Sequence, residues 1–400
     1  MIAAAIEVAT VPTLEGIDVR DWDRLVGVEG FYTSYGWLRS LELTHGPLTS
    51  LVATEGGRLV GALPTWMGES PDSKMFSVPS LVGTLPGRWD RPFLWLGGRR
   101  ATANAPVWRR GAREASIMQY LLHAARQYAA RQGLWGVVWP YLPAAVALRI
   151  ATSYPCASVL LHSADAIVDV PAGGFRAMAA RSRRRDRTKW LRELHAFEHS
   201  GGELEWSQLS SETMAPIAAL VADNRSRHGS RGGEEWMQRT LSAQEQAGIA
   251  RGAIVATTKR HGRLVATAVF YEWRGHLYGR YWGAAPDAPR FSYYVLTQYA
   301  GIDWCAEHAV RQFHLSISSW EAKVHRGATL HPLAAVIVPA EGADELVGAP
   351  KLRRHNAFVA RSWKNLFPSR PEAFHPTWQA WEEADATLPD LTRPTRLPLS

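Results

Sequence analysis

Read for hydrophobic periodicity, the chain runs through one order of elements twice, and that order points to an α/β fold. In the first half "FYTSYGWLRSLELTHG" (31–46) predicts a helix with Trp37, Leu38 and Leu41 on one face. Two short strands follow, "LTSLVATEGG" and "RLVGALPTWM", joined at a Gly-Gly turn as a hairpin. The amphipathic helix "AREASIMQYLLHAARQYAARQG", closed by Gly133, leads to the buried strand "LWGVVWPYL", and "ASVLLHSADAIVDVP" supplies further strands. In the second half a helix over 176–199 precedes "GGELEW", the helix "SSETMAPIAALVADNRSRHG" and another at 234–247. A hairpin over 251–283, the helix "SYYVLTQYAGIDWCAEHAV" and the strand "RQFHLSI" complete the series. Helix, hairpin, helix, strand twice over predicts two copies of one unit, each a mixed sheet flanked by helices. The 400 residues, more than one core usually organises, divide accordingly into 1–172, 173–345 and a C-terminal helix with a Pro-rich tail, 346–400.

A formal charge of +8 and a pI near 9.6 suit a polyanionic partner: nucleic acid, a phosphorylated substrate or a membrane surface. Two distant cysteines in apolar surroundings, Cys156 and Cys305, build neither a disulfide framework nor a cysteine zinc site, and they read as buried free thiols. "MIAAAIEVATVPTLEG" lacks the basic start of a signal peptide, and no stretch reaches the roughly 20 apolar residues of a membrane helix. A soluble, cytoplasmic protein is therefore expected. Residues 69–110, dense in Gly, Pro, Trp and Arg, read as a long functional loop on the substrate side. Hydrolase elbows, Walker loops, His-Glu-x-x-His helices and EF-hand loops are all missing from the sequence, and no metal is expected.

Four stretches carry a family resemblance: "FYTSYGWLRSLE", "RSRRRDRTKWLRELHAFEHSGGELEW", the hairpin and helix from "VATAVFYEW" to "CAEHAV", and "FHLSISSWEAKVHRGA". In order and spacing, over most of 30–330, they resemble the GNAT acyltransferase superfamily and, within it, the double-domain FemAB-like aminoacyl-tRNA-dependent transferases. The resemblance implies tandem GNAT-like domains, the first on the acceptor side and the second carrying acyl transfer. It also implies roles for single residues. Trp320 and Lys323 match an aromatic-x-x-Lys element near the acyl-transfer site, although an aromatic other than Trp is more usual at its first position. Arg326 and Gly327 resemble the basic and glycine residues that follow that element.

One departure bears on the donor. Acetyl-CoA enzymes of the superfamily cradle pyrophosphate on backbone N–H groups of a Gly-rich loop before a helix. Here the loop reads "GAAPDAPRFSYY", in which Pro286 and Pro289 remove donors and the glycines are missing. "RHGSRGGEEW" (227–236) has arginine and glycines but follows a helix, so it reads as a connector. No bound cofactor is expected, with aminoacyl-tRNA as donor and acyl-CoA disfavoured.

Three constellations carry candidate chemistry. On one helix Arg181, Arg184, Arg185, Lys189 and Arg192 would form a basic stripe for the tRNA backbone, or simply a solvated face, with Leu191 and Leu194 turned toward the core. Lys323 would stabilise the oxyanion of acyl transfer or anchor a donor phosphate; alternatively it is an exposed loop lysine. On the central hairpin, alternation places Tyr278, Arg280 and Trp282 on one side of a strand and Tyr281 on the other, with Glu272 on the preceding strand. Glu272, Arg280 or Tyr281 would position the acceptor amine or move its proton, against the alternative of sheet packing. Lys323, Glu272 and Tyr281 are thus the catalytic candidates, and Arg280, Tyr278, Trp282, Trp320 and Arg326 the substrate-binding ones. His314 reads as a core histidine ahead of a base.

The activity expected is transfer of an aminoacyl group from aminoacyl-tRNA to a small amine-like acceptor in a specialised, antibiotic-type pathway, because the coiled-coil arm often carried by the bridge-building members is not visible in the sequence. The alternatives are an N-acyltransferase using acyl-CoA or acyl-carrier protein, a peptidoglycan-precursor aminoacyltransferase, and a non-catalytic RNA-binding protein on the same scaffold.

Overall fold

The computed structural model describes residues 5–67, 75–229, 232–343 and 346–381. Residues 69–74 of the long loop, 230 and 231 of the glycine-rich connector, and the Pro-rich tail from 382 lie outside the described residues. The chain forms two compact units. Of the described residues, unit 1 takes those up to Leu38, those of Gly46–Asp165 and those from His331 onward; unit 2 takes Arg39–His45 and those of Ala166–Leu330.

Along the first repeat the elements are β1 (Ile6–Val11), α1 (Val19–Leu25), α2 (Tyr35–His45), β2 (Ser50–Glu55), β3 (Arg58–Met67), α3 (Val78–Val82), β4 (Leu94–Leu96), β5 (Val107–Trp108), α4 (Glu114–Arg131), β6 (Gly136–Pro143), α5 (Ala144–Ser153) and β7 (Ser158–Asp169). Helix α4 forms because Ile117, Leu121, Leu122, Ala125 and Ala129 recur on one face and are buried. That face lies so close to β3 that a Cβ on Gly61 would meet Ile117 Cγ2 at 2.7 Å. The expected long loop is a correction: its described part holds α3, β4 and β5, because "FLWL" and "VW" bury apolar side chains as strands.

The second repeat supplies α6 (Gly174–Arg181), α7 (Arg184–His199), β8 (Glu205–Gln208), α8 (Ser211–Arg227), α9 (Gly233–Gln246), β9 (Ala253–Arg260), β10 (Arg263–Trp273) and β11 (His276–Ala284). A helical stretch follows as α10 (Ser292–Tyr294), a π turn (Val295–Tyr299) and α11 (Ala300–Glu307), then β12 (Gln312–His314), α12 (Trp320–Val324), β13 (Thr329–Pro339) and α13 (Ala349–Leu366).

The strands of each unit follow one pairing rule. In unit 1, β1, β2, β3 and β4 pair antiparallel in sequence, β4 pairs parallel with β6 across α4, and β6 pairs antiparallel with β13. In unit 2, β8 to β11 pair antiparallel in sequence, β11 pairs parallel with β12 across the 292–307 helix, and β12 pairs antiparallel with the end of β7. The closing strands are thus exchanged: the last strand of the second repeat completes unit 1, and the end of the first repeat's last strand completes unit 2.

Three local expectations are corrected. The helix expected over 176–199 is two, α6 and α7, separated at Ser182, whose extended backbone (ψ 166°) ends α6. Leu191 is exposed, because the buried stripe of α7 is Asp186, Trp190, Glu193 and Phe197. Cys305 is buried as read, but Cys156 is exposed. Among the described residues, no helix is long and apolar enough to cross a membrane.

Candidate active site

The candidate site lies within unit 2, where β11 and β12 part. Their pairing covers only His276–Tyr278 against Gln312–His314, and β11 then runs on to Ala284 while β12 stops. A bulge falls at this point: Tyr278 faces Tyr271, Gly279 faces Phe270 and Tyr281 faces Val269, leaving Arg280 as the extra residue. This overturns the simple alternation expected along β11. The insertion brings Tyr278 and Tyr281 onto the face of Tyr271 and leaves Trp282 on the other.

Each side chain then has a definite place. Tyr278 is buried and stacks on His314 with centroids 4.4 Å apart, and His314 Nε2 lies 3.1 Å from His276 Nδ1. Burial, and then the neighbouring His314, hold His276 down at about 4, so His276 is uncharged near neutrality. The buried Tyr281 hydroxyl accepts a hydrogen bond from Gln244 Nε2 at 2.9 Å, while the Tyr271 hydroxyl donates to Gln244 Oε1. The half-buried Arg280 places its guanidinium 5.6 Å from the Tyr281 ring centroid. Half-buried Trp282 meets Tyr293 edge-on at 5.4 Å. Glu272 stands apart from this group: it is exposed, and its Oε1 accepts from the Gly275 N–H at 2.8 Å, capping the β10–β11 turn.

Beyond β12 the chain makes a strained turn. Ser316 and Ser319 both adopt positive φ, 72° and 53°, a conformation that costs a non-glycine residue about 1 kcal/mol or more and clusters at functional sites. Lys323 closes this turn from α12. Its side chain is buried, and its Nζ donates to the Leu315 carbonyl and, at 3.1 Å, to the Ser316 carbonyl. The alternative of an exposed loop lysine is therefore overturned. Trp320, at the start of α12, is also buried.

Arg326, expected to meet substrate, is turned inward. Its Nη2 and Nε donate to the two carboxylate oxygens of Glu193 at 2.7 and 3.1 Å, and its Nη1 donates to the Ala322 carbonyl at 2.8 Å. Tyr299 donates its hydroxyl to Glu193, and burial followed by that carboxylate pushes the phenol well above its ordinary range. The Arg326 guanidinium lies over the Tyr294 ring, 3.2 Å from its centroid. A buried Glu–Arg pair was not read from the sequence. The signal was there in Glu193, acidic among the basic residues of α7, which follows Asp186 and Trp190 at a spacing of i, i+4 and i+7.

The basic candidates divide between two helices. Arg181 ends α6, whereas Arg184, Arg185, Lys189 and Arg192 lie exposed on α7, and none of these four forms a salt bridge among the described residues. In the loop before α10, the amides of Ala285, Ala288, Arg290 and Ser292 are already bonded, to Val265 O, Ala285 O, Ser200 Oγ and Pro289 O. Beside that loop lies an open, polar cleft of about 870 Å³ lined by residues that include His199, Arg260, His261, Asp287 and Arg290. Among the described residues, no group of three or more His, Cys, Asp or Glu is placed to hold a metal ion.

The sequence profile of the FemAB-like family, described as peptidoglycan biosynthesis/recognition, matches residues 91–338. The chain belongs to the FemAB-like family. Membership assigns it to a family of acyltransferases, and solved structures agree on the fold. A conserved protein of unknown function from Bacteroides thetaiotaomicron superimposes with a TM-score of 0.54 at 12% identity, over 81% of this chain and 98% of its own. FemX gives a TM-score of 0.54 at 11% identity, over 82% of this chain and 96% of its own. The C-terminal domain of a putative lysylphosphatidylglycerol synthetase from Agrobacterium fabrum gives 0.54 at 11%, over 84% and 93%. At these identities the likeness is one of fold, and it fits the tandem GNAT-like architecture. No functionally curated protein matches the sequence.

Proposed function

We propose that this FemAB-like protein transfers an aminoacyl group from aminoacyl-tRNA to an amine, with unit 2 carrying the chemistry. The observation that carries the reading is the Lys323 ammonium, buried in the strained turn where β11 and β12 separate. An aminoacyl ester is already activated, so catalysis needs chiefly orientation and a fixed positive charge where the oxyanion develops. The acceptor nitrogen attacks the ester carbonyl carbon and the carbonyl oxygen takes up negative charge facing Lys323. The C–O bond to the tRNA 3′ end then breaks, and the departing hydroxyl oxygen receives the proton lost by the amine.

The donor reading draws on two features. The outer face of α7 offers Arg184, Arg185, Lys189 and Arg192, which have no acidic partners among the described residues, and this suits a phosphate backbone. In the loop before α10 the amides of Ala285, Ala288 and Arg290 are already bonded within the protein, as is that of Ser292 where the helix starts, and Pro286 and Pro289 carry none, which weighs against a pyrophosphate cradle and thus against acyl-CoA. Trp282, Tyr293 and Arg280 would flank the acyl group, and Tyr281 would be held in place by Gln244 of α9, which also bonds Tyr271 on the neighbouring strand. We place a small amine-like acceptor first. A cell-wall precursor is the second reading, favoured by the family's description in peptidoglycan biosynthesis/recognition.

The test is to incubate the purified full chain with aminoacyl-tRNA labelled in the amino acid and a panel of small amines and cell-wall precursors. A labelled amide supports the proposal and identifies the acceptor class. Labelled amide from acyl-CoA alone, or tight RNA binding with no transfer to any acceptor, would overturn it.

A further inference from the structure

Helix α7 does two things on two faces only one residue apart. Lys189 and Arg192 are exposed, while their neighbours Trp190 and Glu193 are buried and reach directly to the end of α12. Trp190 Nε1 donates to the His325 carbonyl at 2.9 Å. Glu193 holds Arg326 through two charge-assisted hydrogen bonds, with side-chain exposures of 5% and 3%, which places this pair among the strong, oriented kind. Arg326 also grips the Ala322 carbonyl, immediately before Lys323, and lies over the Tyr294 ring. Packing completes the contact. Gly327 has φ 86°, and a Cβ there would meet Met178 Cε at 2.5 Å, so α6 sits directly against the chain leaving α12.

We propose that Trp190, Glu193 and Arg326 are positioning residues: a buried strut from the basic helix α7 that sets the place of α12 and so aims the Lys323 ammonium. This deepens the functional reading above and rests on it for the chemistry that Lys323 performs. The strut explains why an ion pair is kept where apolar residues would serve stability equally well. Only a forked guanidinium can hold both carboxylate oxygens and the Ala322 carbonyl together. It also places the inward anchors next to the outward charges, so a donor seated on Lys189 and Arg192 bears on the same rigid helix that carries the lysine's support.

The experiment replaces the pair by apolar residues of similar volume, Glu193→Leu with Arg326→Met, and separately makes Arg326→Lys and Trp190→Phe. Circular dichroism and thermal melting confirm folding, and two readouts follow. Displacing a catalytic group by about 1 Å costs on the order of a hundredfold. Turnover in the double variant should therefore fall by about that factor, with donor KM unchanged, and Arg326→Lys, which cannot fork, should fail to restore it. In the free protein, without any donor, the amine-labelling rate of Lys323 read by mass spectrometry should rise several-fold in the double variant and less in Trp190→Phe. A folded double variant with wild-type turnover and wild-type Lys323 labelling overturns the strut. Should the wild type transfer no aminoacyl group at all, the functional reading fails by itself, and the labelling of Lys323 still decides the strut.

Discussion

Replacing Lys323 by methionine separates the two tasks that its position implies. The side chain is buried and its ammonium holds the Leu315 and Ser316 carbonyls. A hydrogen bond to a charged group is worth about 1.5–3 kcal/mol, and part of that is returned because a charge no longer has to be kept from water. A net loss of about 2–3 kcal/mol is expected, which for a unit of this size lowers Tm by roughly 5–10 °C. Removing one preorganised oxyanion donor costs about 10²–10³ in turnover, far more than a softened turn would explain below the melting point. The assay is single-turnover transfer from labelled aminoacyl-tRNA, run well below the variant's Tm, with RNA affinity measured in parallel. The expected outcome is a fall in rate of at least about a hundredfold with RNA binding unchanged. Wild-type turnover with a lowered Tm would refute the reasoning and leave Lys323 as a clamp on a strained turn.

Reversing Arg185 and Lys189 to glutamate should weaken binding of a tRNA acceptor-stem duplex and flatten its dependence on salt; superimposable binding curves would make α7 an ordinary solvated face. Glu272→Ala should leave turnover within a factor of about two, because its carboxylate caps a turn away from the site, and a large loss would return it to the chemistry. For pH, His276 is held down at about 4 against an ordinary 6.5, so between those values the unfolded chain binds more protons than the folded one. Stability should therefore fall as pH drops through that window, seen as a declining Tm, and His276→Asn should flatten the decline. An unchanged slope would show that His276 titrates normally in the folded protein.

Much of the architecture was legible because it follows from local periodicity. The twice-repeated order of elements, the amphipathic α4 and the β9–β10 hairpin all stand where apolar spacing puts them. The exchange of β7 and β13 was not legible, because which sheet a closing strand joins is decided by long-range packing that no local pattern encodes. The bulge at Arg280 was hidden for a related reason: one extra residue reverses the facing of all that precedes it, and strict alternation gives no warning. Lys323 and Trp320 were picked out by their resemblance to a family element; the burial of the lysine depends on the two carbonyls that a strained turn presents to it. Arg326 shows the opposite error. A basic residue after a site motif read as substrate-facing, while its partner, Glu193, lay 133 positions away in the sequence.

The most direct test of the account is a donor experiment on the purified 400-residue chain. Aminoacyl-tRNA labelled in the amino acid is offered with an amine acceptor, intact or after ribonuclease digestion, beside the corresponding acyl-CoA. Amide formation from intact aminoacyl-tRNA, lost on digestion and absent with acyl-CoA, is the predicted result. Equal amide formation from acyl-CoA, or transfer that survives digestion of the RNA body, would contradict it.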